Sequence, residues 1–568
     1  MTFCRKFPTF PWHTLIWICL VAIIHLNTPA QLSAAMQAES SAGIVVSGSK
    51  ESTQAGIKIL QQGGTAADAA AAVSLTLGVT EPFNSGLGGK FAALYYDAST
   101  GKISYLEALD QAPATIPLDE LRKKTSAQRA RGYGSACIPG CAAALDLLHK
   151  KWGKLSWKEI SAPAISAARN GFPLPDKQIV EFTKSYELVT QDPVAGKIYY
   201  PNGKVPEKNQ ILKNPDLANT LEKIGENGAD SFYHGEIADQ LVRASQTGGG
   251  WFSKEDFAKY RVRENPPLVQ EYKKYRIYAS APPVTGGATV LLTLKSLEAD
   301  SWQEIPSMSL PRIERVGHAW QKIFPLVSSN FGDTPDMADR IAKVFSPSSL
   351  AELIRNIHES TPSTPAPTPA EDDPSNSETT HFVVIDKAGN IVSATQSLSL
   401  HWGAAVVPPG TGILLNNSLS NFGFGTKKYV NSAEGGKRPR STLAPVLVME
   451  NAKPILAMGS PASDRIPTGV YQVLSNLLDF NMDPIAAIDQ PRFHLRRAKS
   501  PSEPANFFDL EEGFDPTLAD ALKKAGWQIG FKKRNEYYFG SVNLIRILPN
   551  GKREGFADER RTNWALSE

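Results

Sequence analysis

The amino-acid sequence predicts a mixed α/β fold, because helical and strand patterns alternate along its first part. Residues 52–62 and 66–77 carry helical patterns, and the pair Gly63-Gly64 separates them. The second helix is built almost entirely from Ala, Val and Leu, so we expect it to be buried against other elements. Residues 91–96 (FAALYY) then form an apolar, aromatic run that is typical of a strand.

The α/β pattern continues along the chain. A turn at Gly101-Lys102 leads into a second predicted strand at residues 103–106. Residues from about 142 to 299 are mostly helical in pattern, with stretches such as ALDLLHKKWG. Residues 275–279 are predicted as a strand that ends at the Pro/Gly turn PPVTGG.

A break in composition follows at residues 359–378, ESTPSTPAPTPAEDDPSNSE. This segment, called the leader below, has no apolar side chain beyond Ala and Pro, so we expect it to be flexible. It runs directly into TTHFVVIDKAGNIVSATQSLSL, which predicts a strand, a turn at KAGN and a second strand with alternating burial. A plain interdomain linker is the alternative, but a flexible segment next to the first residue of a core strand also suits chain cleavage.

Composition and charge exclude several classes of function. The chain has 568 residues, of which 42% are hydrophobic, which is ample for a large buried core. Its 60 Lys and Arg nearly balance 57 Asp and Glu, and the net charge of +3 gives no basis for a nucleic-acid partner. No zinc-type spacing, Walker loop or EF-hand loop is present in the sequence, so we expect no metal and no organic cofactor.

Residues 1–35 are typical of an export signal. Arg5 and Lys6 supply positive charge, and the apolar run at residues 14–26 is too short for a membrane span of about 20 residues. Cleavage is predicted after Ala30 or near Ala35. An uncleaved anchor is the alternative. In both cases we expect the body of the protein to be periplasmic or secreted, with no stable membrane span once the signal is removed.

The cysteines fit an exported protein only weakly. Cys4 and Cys19 fall inside the signal, which leaves Cys137 and Cys141 in SACIPGCAAA. In an oxidising compartment these two could pair across Pro139-Gly140. They could equally be two small buried residues where the chain enters a helix, and spacing alone does not decide between the alternatives.

Thr379, the first residue after the leader, is a candidate nucleophile. If the peptide bond between Glu378 and Thr379 is cut, the freed α-amine and the hydroxyl belong to one residue. An amine with a pKa near neutrality can then take the hydroxyl proton, directly or through water. His381 lies two residues further along, but residues two apart on a strand do not meet closely, so we expect a structural role for it.

The chain resembles the gamma-glutamyltranspeptidase family in a series of stretches that occur in the family's order. The stretches are QAGIKILQQGGTAADAAAAVSLTLGVTEPFNSGLGG, IPGCAAALDLLHKKWG, PAISAARNGFPL, NGADSFYHGEIADQL, TTHFVVIDKAGNIVSAT, GTGILLNNSLSNF, KRPRSTLAPVLVM, GSPASDRI, QPRFH and GFADERR. The resemblance implies a four-layer αββα sandwich of the N-terminal nucleophile hydrolase type. It also implies self-cleavage into a large subunit (residues 36–378) and a small catalytic subunit (residues 379–568).

The resemblance implies roles for further residues. Thr379 would attack a γ-glutamyl amide, and the acyl group would pass to water or to an amino acid or peptide. Ser397 matches a family threonine whose hydroxyl supports the nucleophile. Ser441 and Thr442 match a Ser-Ser pair that holds the substrate's α-carboxylate, and Asn416-Asn417 match the end of the ILLNN strand.

This sequence departs from the family pattern at the positions that recognise the substrate. Leu109, in EALDQAP, replaces the arginine that clamps the donor's α-carboxylate. Asn421 replaces the aspartate that meets the α-ammonium, and Ser399 replaces a recognition asparagine. Ala462-Ser463 replace the glycine pair of the oxyanion hole, whose backbone N–H groups remain available if the added Cβ atoms are tolerated.

Two further features concern access and charge at the predicted site. The stretch between Phe422 and Lys437 is short where many family members carry a longer lid, which favours an open site and a bulkier or polymeric acyl donor. Arg440 lies directly before Ser441 and could supply a relocated positive charge; a solvated arginine in the basic run KRPR is the alternative.

The sequence therefore favours an active, self-processed amidohydrolase whose acyl specificity has moved away from γ-glutamate. Candidate substrates are small-molecule or peptide amides, including other γ-linked peptides and the dicarboxylic amides cleaved by acylases in this family. An ordinary glutathione hydrolase with substitute contacts is a second hypothesis. A family member with impaired catalysis that acts as a binding protein is the non-enzyme alternative.

Overall fold

The structure is a computed structural model that describes residues 1–2, 36–300, 302–360, 377–426, 428–497, 504–534 and 537–568. The predicted signal beyond its first two residues, and leader residues 361–376, lie outside this part. Within it, no helix has the length and apolar character that crossing a bilayer requires.

The strands are numbered along the chain, with the following bounds: β1 Gln37–Ser40, β2 Ile44–Ser47, β3 Lys90–Asp97, β4 Lys102–Ala108, β5 Phe172–Pro173, β6 Ile211–Leu212, β7 Arg263–Asn265, β8 Leu268–Tyr272, β9 Tyr275–Ala279, β10 Ser377–Ile385, β11 Ile391–Leu400, β12 Val446–Glu450, β13 Lys453–Gly459, β14 Phe493–Leu495, β15 Phe507–Glu511, β16 Gln528–Lys532, β17 Asn543–Ile547, β18 Arg553–Ala557 and β19 Trp564–Ser567. The α-helices, numbered in the same way, have these bounds: α1 Lys50–Gln61, α2 Ala66–Thr80, α3 Leu118–Lys123, α4 Ser126–Arg129, α5 Cys141–Trp152, α6 Trp157–Asn170, α7 Asp176–Val189, α8 Pro193–Tyr199, α9 Pro215–Asn227, α10 Glu236–Thr247, α11 Lys254–Lys259, α12 Gly286–Ser296, α13 Leu310–Asn330, α14 Met337–Val344, α15 Pro347–His358, α16 Arg465–Leu478, α17 Pro484–Asp489 and α18 Pro516–Lys524.

Two seven-stranded antiparallel sheets face each other at the centre of the fold. The first has the strand order β1-β18-β17-β13-β12-β9-β8, and the second has the order β19-β2-β10-β11-β3-β4-β7. Strand β10, which begins with the last two residues of the leader, and strand β11 lie in the middle of the second sheet and contact strands β13 and β17 of the first. The candidate nucleophile strand is therefore a central strand, packed against the opposite sheet.

Helices cover the outer face of each sheet. Helix α2 packs on β10 and β11, α1 on β2, and α5 on β3 and β4, whereas α12 and α16 pack on the first sheet. The result is the four-layer αββα sandwich that the resemblance implied. Each layer buries an apolar face against the next, which is how a sheet between helices and another sheet gains most of its stability.

The predicted elements agree closely with the observed ones. The runs FAALYY and residues 103–106 lie inside β3 and β4, and the strand predicted at residues 275–279 is β9. The N-cap of helix α2 is Thr65, whose side chain forms a capping box with Asp68, and all residues of the helix except Gly78 are buried, as its composition predicted.

The alternating burial expected for the two strands after the leader is wrong. All ten residues of β11 are buried, and so are residues 379–385 of β10. The reason is that helix α2 covers one face of these strands while the opposite sheet covers the other, so neither face meets water.

Cys137 and Cys141 are free, buried thiols. Cys141 is the first residue of α5, and its Sγ lies 3.7 Å from Oγ of Ser74. The disulfide alternative is therefore not realised, and the two cysteines are small buried residues at the entry to a helix.

Candidate active site

Thr379 lies at an interruption of the ladder between β10 and β11. Glu378 pairs with Ser399 and Thr380 pairs with Gln396, so one residue, Thr379, faces two residues of the neighbouring strand. Thr379 is only 2% exposed. The peptide bond predicted to be cut is therefore held in the middle of a sheet, at the point where regular pairing fails.

A buried polar cluster surrounds the backbone of Thr379. Nη1 of Arg561 donates to the Thr379 carbonyl oxygen at 3.2 Å. The next residue, Thr380, donates from Oγ1 to Oε2 of Glu81 at 2.8 Å, and Oγ1 of Thr562 donates to the other carboxylate oxygen at 3.3 Å. Burial raises the pKa of Glu81 to about 7. The hydrogen bonds from the hydroxyls and the charge of Arg561 favour the ionised form and partly oppose this rise in pKa.

Ser397 lies on β11, opposite the interruption. It is buried, and its Oγ accepts the backbone N–H of Ser399 at 2.9 Å. Ser399 has a φ of +81°, in the left-handed region that non-glycine residues seldom adopt. Such conformations persist where the surroundings enforce them and are frequent at functional sites. Both predicted site residues therefore belong to one distorted stretch of β11.

A second polar cluster lies on the other side of β11. Lys90, the first residue of β3, pairs with Ser397, and its Nζ donates to Oγ of Ser399 and, at 3.1 Å, to Oγ of Ser418. Ser418 in turn donates to Oδ2 of Asp110. Asn421 joins the cluster by donating from Nδ2 to Oγ of Ser399 at 3.1 Å.

The charges of this second cluster are shielded from water. Burial raises the pKa of Asp110 to about 7, although the nearby Lys90 ammonium lowers it. Burial lowers the pKa of Lys90, and the Asp110 carboxylate opposes that shift. Oδ1 of Asn421 is buried and has no hydrogen-bond partner among the described residues.

Ala462 and Ser463 form the turn between β13 and α16. Both are buried and both have positive φ, +101° and +54°, so they adopt the conformations that glycine would favour. Their carbonyl oxygens accept the N–H groups of Arg465 and Ile466 at 2.9 and 3.0 Å. Their own N–H groups find no acceptor in the part of the chain that the structure describes.

His381 connects the Ala462 turn to the nucleophile strand. Its Nδ1 hydrogen-bonds Oγ1 of Thr395 at 2.8 Å, and its ring packs so closely on Gly459 that a Cβ there would lie 2.4 Å from it. Gly459 ends β13, three residues before Ala462. Burial lowers the pKa of His381 to about 3, which keeps the ring neutral, and these contacts favour the structural role predicted for it.

The residues matched to the carboxylate-binding pair lie beside the same turn. Oγ1 of Thr442 donates to the carbonyl oxygen of Ser463 at 2.9 Å. The Ser441 carbonyl oxygen accepts the backbone N–H of Thr285 at 2.7 Å. Thr442 is thus in direct contact with the proposed oxyanion-hole turn.

Arg440 is directed away from this pair. Its Nη1 donates to the carbonyl oxygens of Ser328 and Phe331, and its Nη2 donates to Oγ of Ser328 at 3.3 Å. These acceptors lie at the C-terminal end of α13. Because Arg440 is buried, the solvated alternative is wrong. The contacts favour a role in holding α13, and substrate binding by Arg440 stays a prediction.

Leu109 lacks the charge of the arginine that it replaces, and the neighbouring Arg438 does not supply it. Leu109 is buried, its N–H donates to Oε1 of Glu107 at 3.0 Å, and its carbonyl oxygen accepts the hydroxyl of Tyr260 at 2.7 Å. Arg438 is nearby, but its Nη1 forms a buried ion pair with Glu107 at 2.7 Å. Its charge is therefore already balanced within the fold.

The asparagine pair fixes loops around the second cluster. Nδ2 of Asn416 donates to the carbonyl oxygens of Gly88 and Cys137, both at 2.8 Å. Nδ2 of Asn417 donates to the carbonyl oxygen of Ala130 at 2.9 Å. These bonds hold the segment that leads into Ser418 and Asn421.

Sequence reasoning missed Glu81, Arg561, Lys90, Asp110 and Ser418. Glu81 directly follows the apolar helix α2 in the sequence. A carboxyl group at the end of a helix that is expected to be buried indicates a buried charge, and this pattern could have identified Glu81. Arg561 lies within GFADERR, one of the stretches that carry the resemblance, whereas Asp110 lies within EALDQAP, a stretch that departs from the family pattern at the neighbouring Leu109.

Two antiparallel sheets between helical layers are the architecture of the N-terminal nucleophile hydrolase class, and in this chain a buried threonine lies at a break in a central strand. Residues 52–567 match the family model described as gamma-glutamyltranspeptidase. The chain belongs to the gamma-glutamyltranspeptidase family.

Relatives of known name support this membership. The glutathione hydrolase proenzyme of Escherichia coli (strain K12) is 30% identical over 537 residues, which cover 91% of this chain and 90% of that protein. The glutathione hydrolase-like YwrD proenzyme of Bacillus subtilis (strain 168) is 31% identical over 529 residues, covering 92% and 98%. The crystal structure of cephalosporin acylase from Bacillus halodurans superposes with a TM-score of 0.84 at 26% identity, covering 96% of this chain and 99% of that one.

Proposed function

We propose that this protein is the precursor of an amidohydrolase that cuts itself between Glu378 and Thr379. The large subunit would comprise residues 36–378 and the small catalytic subunit residues 379–568. The observation that carries the proposal is the interruption of the ladder at Thr379, which places that bond in a buried, irregular stretch of a central strand. The export signal predicted at residues 1–35 favours a periplasmic or secreted location.

Cleavage needs only the atoms of the chain and one water molecule. Oγ of Thr379 attacks the carbonyl carbon of Glu378, the C–N bond breaks, and an ester joins Glu378 to the Thr379 oxygen. Water hydrolyses this ester and leaves a carboxylate on Glu378. Thr379 keeps its hydroxyl and gains a free α-amine. Arg561, which binds the Thr379 carbonyl oxygen, holds the new terminus in the sheet after the cut.

The mature site would use the same hydroxyl for substrate. The α-amine of Thr379 takes the hydroxyl proton, and the oxygen attacks the carbonyl carbon of the donor amide. The N–H groups of Ala462 and Ser463 have no acceptor among the described residues, so they can bind the oxyanion that forms. The departing amine takes the proton, and the acyl ester passes to water or to the amine of an amino acid or peptide.

The donor would be an amide other than the ordinary γ-glutamyl one. Leu109 is apolar and buried, Asn421 is uncharged, and Arg438 is committed to Glu107, so these positions do not supply the charged pair that the family uses for the donor's α-carbon. Ser399, Ser441 and Thr442 keep hydroxyl groups with which to orient a polar acyl chain. This supports an amidohydrolase whose acyl specificity has moved.

Denaturing electrophoresis of the purified protein tests the processing. We expect two fragments, and mass analysis should find one that begins TTHFVV. Thr379→Ala should remain a single chain, whereas Thr379→Ser, which keeps a hydroxyl, should still split. A single wild-type chain, or a split that persists in Thr379→Ala, contradicts the proposal. Robust turnover of a γ-glutamyl anilide would contradict the claim about the donor.

A further inference from the structure

Asn431 is a buried asparagine whose side chain joins two segments of the predicted substrate site. It is 1% exposed. Its Nδ2 donates to the carbonyl oxygen of Asn421 at 2.8 Å, and its Oδ1 accepts the backbone N–H of Arg440 at 3.0 Å. Asn421 is the predicted recognition residue of the first segment, and Arg440 directly precedes the predicted carboxylate-binding pair, Ser441 and Thr442. One side chain therefore bridges both segments.

The two contacts of this bridge need opposite hydrogen-bonding groups. The carbonyl oxygen of Asn421 can only accept a hydrogen bond, and the backbone N–H of Arg440 can only donate one. The amide of Asn431 supplies one donor and one acceptor on a short, planar group, so it satisfies both. Because a buried backbone group without a partner costs free energy, each end of the bridge is held in place.

The short segment before Lys437 fixes the position of Asn431. The carbonyl oxygen of Asn431 accepts the N–H of Gly423 at 3.1 Å, and Nζ of Lys437 donates to the carbonyl oxygen of Val430 at 2.9 Å. On the other side, Gly332 lies so close that a Cβ there would be 2.5 Å from the Val430 carbonyl oxygen. Val430 and Asn431 are therefore packed into the fold, which makes the bridge a fixed spacer.

Each end of the bridge leads to a residue that is predicted to act on the substrate. Nδ2 of Asn421 donates to Oγ of Ser399 at 3.1 Å, in the distorted stretch of β11. At the other end, Oγ1 of Thr442 donates to the carbonyl oxygen of Ser463 at 2.9 Å, in the proposed oxyanion-hole turn. A displacement of either segment would therefore reach groups that bind the acyl chain or the oxyanion.

We infer that Asn431 is a positioning residue that sets the separation between the Asn421 segment and the Ser441–Thr442 segment, and thereby the fit of the acyl chain. The inference rests on the proposed function for its effect on turnover, but not for its effect on the two segments. Because the two hydrogen bonds are made by different atoms, one substitution can break one bond and another substitution can break both.

Residue-resolved hydrogen exchange tests the bridge on the uncut Thr379→Ala background. Asn431→Asp keeps an acceptor for Arg440 but loses the donor, so residues 418–423 should exchange about five- to tenfold faster while the Arg440 amide stays protected. Asn431→Ala loses both bonds, so both sites should exchange faster. The exposed control Asn219→Asp on α9 should change neither. Unchanged exchange at residues 418–423 in Asn431→Asp overturns the inference.

Turnover separates positioning from a general loss of stability. γ-L-Glutamyl and glutaryl p-nitroanilide are offered to the split proteins, and the one that wild type hydrolyses faster serves as the donor. Asn431→Asp should raise KM about five- to tenfold with kcat within about twofold, because the bond to Arg440 persists. Asn431→Ala should raise KM and also lower kcat. Equal kinetics in wild type and Asn431→Asp, or a loss of kcat alone, overturns the inference.

A double-mutant cycle shows whether Asn431 acts through Asn421. Asn421→Ala removes the side chain that the bridge positions, so adding Asn431→Asp to it should change KM by less than about twofold. If Asn431→Asp raises KM equally with and without Asn421→Ala, it acts through another group and the inference fails.

The two measurements distinguish a failure of this inference from a failure of the proposed function. If wild type does not split, the proposed function fails, and hydrogen exchange in the uncut chain still decides whether Asn431 holds the two segments. Exchange decides alone in the same way if the split protein hydrolyses neither anilide. If Asn431→Asp does not fold, Asn431→Ala takes its place, and unchanged exchange at residues 418–423 or an unchanged KM in that variant overturns the inference.

Discussion

Oγ1 of Thr380 donates a 2.8 Å hydrogen bond to Oε2 of Glu81, and both residues are buried. The bond ties the strand that carries Thr379 to the end of helix α2. Gly48 lies against the same carboxylate, where a Cβ would come within 2.3 Å of Oε2. The environment is tight and dry, which explains why the pKa of Glu81 rises from its ordinary 4.5 to about 7.

This relationship predicts a pH dependence of stability. Between pH 4.5 and 7 the unfolded chain has lost the Glu81 proton while the folded chain still holds it, so the free energy of unfolding falls as pH rises through this window. The contribution should decrease by about 2–3 kcal/mol between pH 5 and pH 8. Glu81→Gln, which resembles the protonated form, should lack this decrease.

Urea denaturation at several pH values, on the uncut Thr379→Ala background, measures this difference. The matched control is Glu226→Gln on the exposed side of α9. The free energies of unfolding of wild type and Glu81→Gln should differ most in alkaline solution. Relative to its value at pH 5, the free energy of unfolding should be higher for the variant than for wild type. Parallel pH profiles would show that Glu81 ionises normally in the folded protein.

Ser397→Ala should slow turnover without unfolding the protein. Ser397 is one of the two residues of β11 that face Thr379 at the interruption of the ladder, and its hydroxyl accepts the backbone N–H of Ser399, so its removal takes a polar group from this stretch. We expect kcat on an anilide donor that the wild-type protein hydrolyses to fall by about 10–100-fold, with a smaller change in KM. Ser397→Thr restores the hydroxyl and should recover most of the rate. Equal rates in wild type and Ser397→Ala would remove Ser397 from the mechanism.

Gly89→Ala should impair processing through the backbone alone. A Cβ at residue 89 would lie 2.3 Å from the Ser397 carbonyl oxygen, so β11 would have to move. We expect a loss of about 1–3 kcal/mol of stability and a slower split at Thr379. Gly425→Ala is the control, because a Cβ there meets nothing within 4 Å and the residue has no positive φ. Normal splitting of Gly89→Ala would show that the close approach is dispensable.

The fold could be predicted from the sequence because its signals are local. The apolar composition of α2 and the aromatic run of β3 are each contained in one short stretch, and both were located within a few residues. The alternating burial predicted for β10 and β11 was wrong, because burial on both faces of a strand depends on which other elements cover it. The residues of the strand alone do not specify those elements.

The candidate site could be predicted only in part, for a related reason. Thr379, Ser397 and the Ala462 turn are recognisable within motifs, whereas Lys90, Asp110 and Ser418 come from three separate segments and meet only in the folded chain. Lys90 follows the run SGLGG and carries no pattern of its own. Its burial beside Ser399 is a property of the β3–β11 pairing, which no single stretch specifies.

Ala462→Gly should stabilise the protein while keeping its activity. Ala462 holds a φ of +101°, which costs a residue with a Cβ about 1–2 kcal/mol, and glycine adopts it freely. Part of the gain is offset because glycine makes the unfolded chain more flexible, so we expect a net gain of about 0.5–1 kcal/mol.

The control is Ala457→Gly in strand β13, where φ is not positive and a loss of about 0.5–1 kcal/mol is expected. Urea denaturation of the uncut chain gives both values, and anilide turnover by the cut protein should be retained because the N–H groups of the turn stay in place. If Ala462→Gly destabilises the protein as much as Ala457→Gly, the turn holds no strain, and the Cβ of Ala462 contributes packing instead.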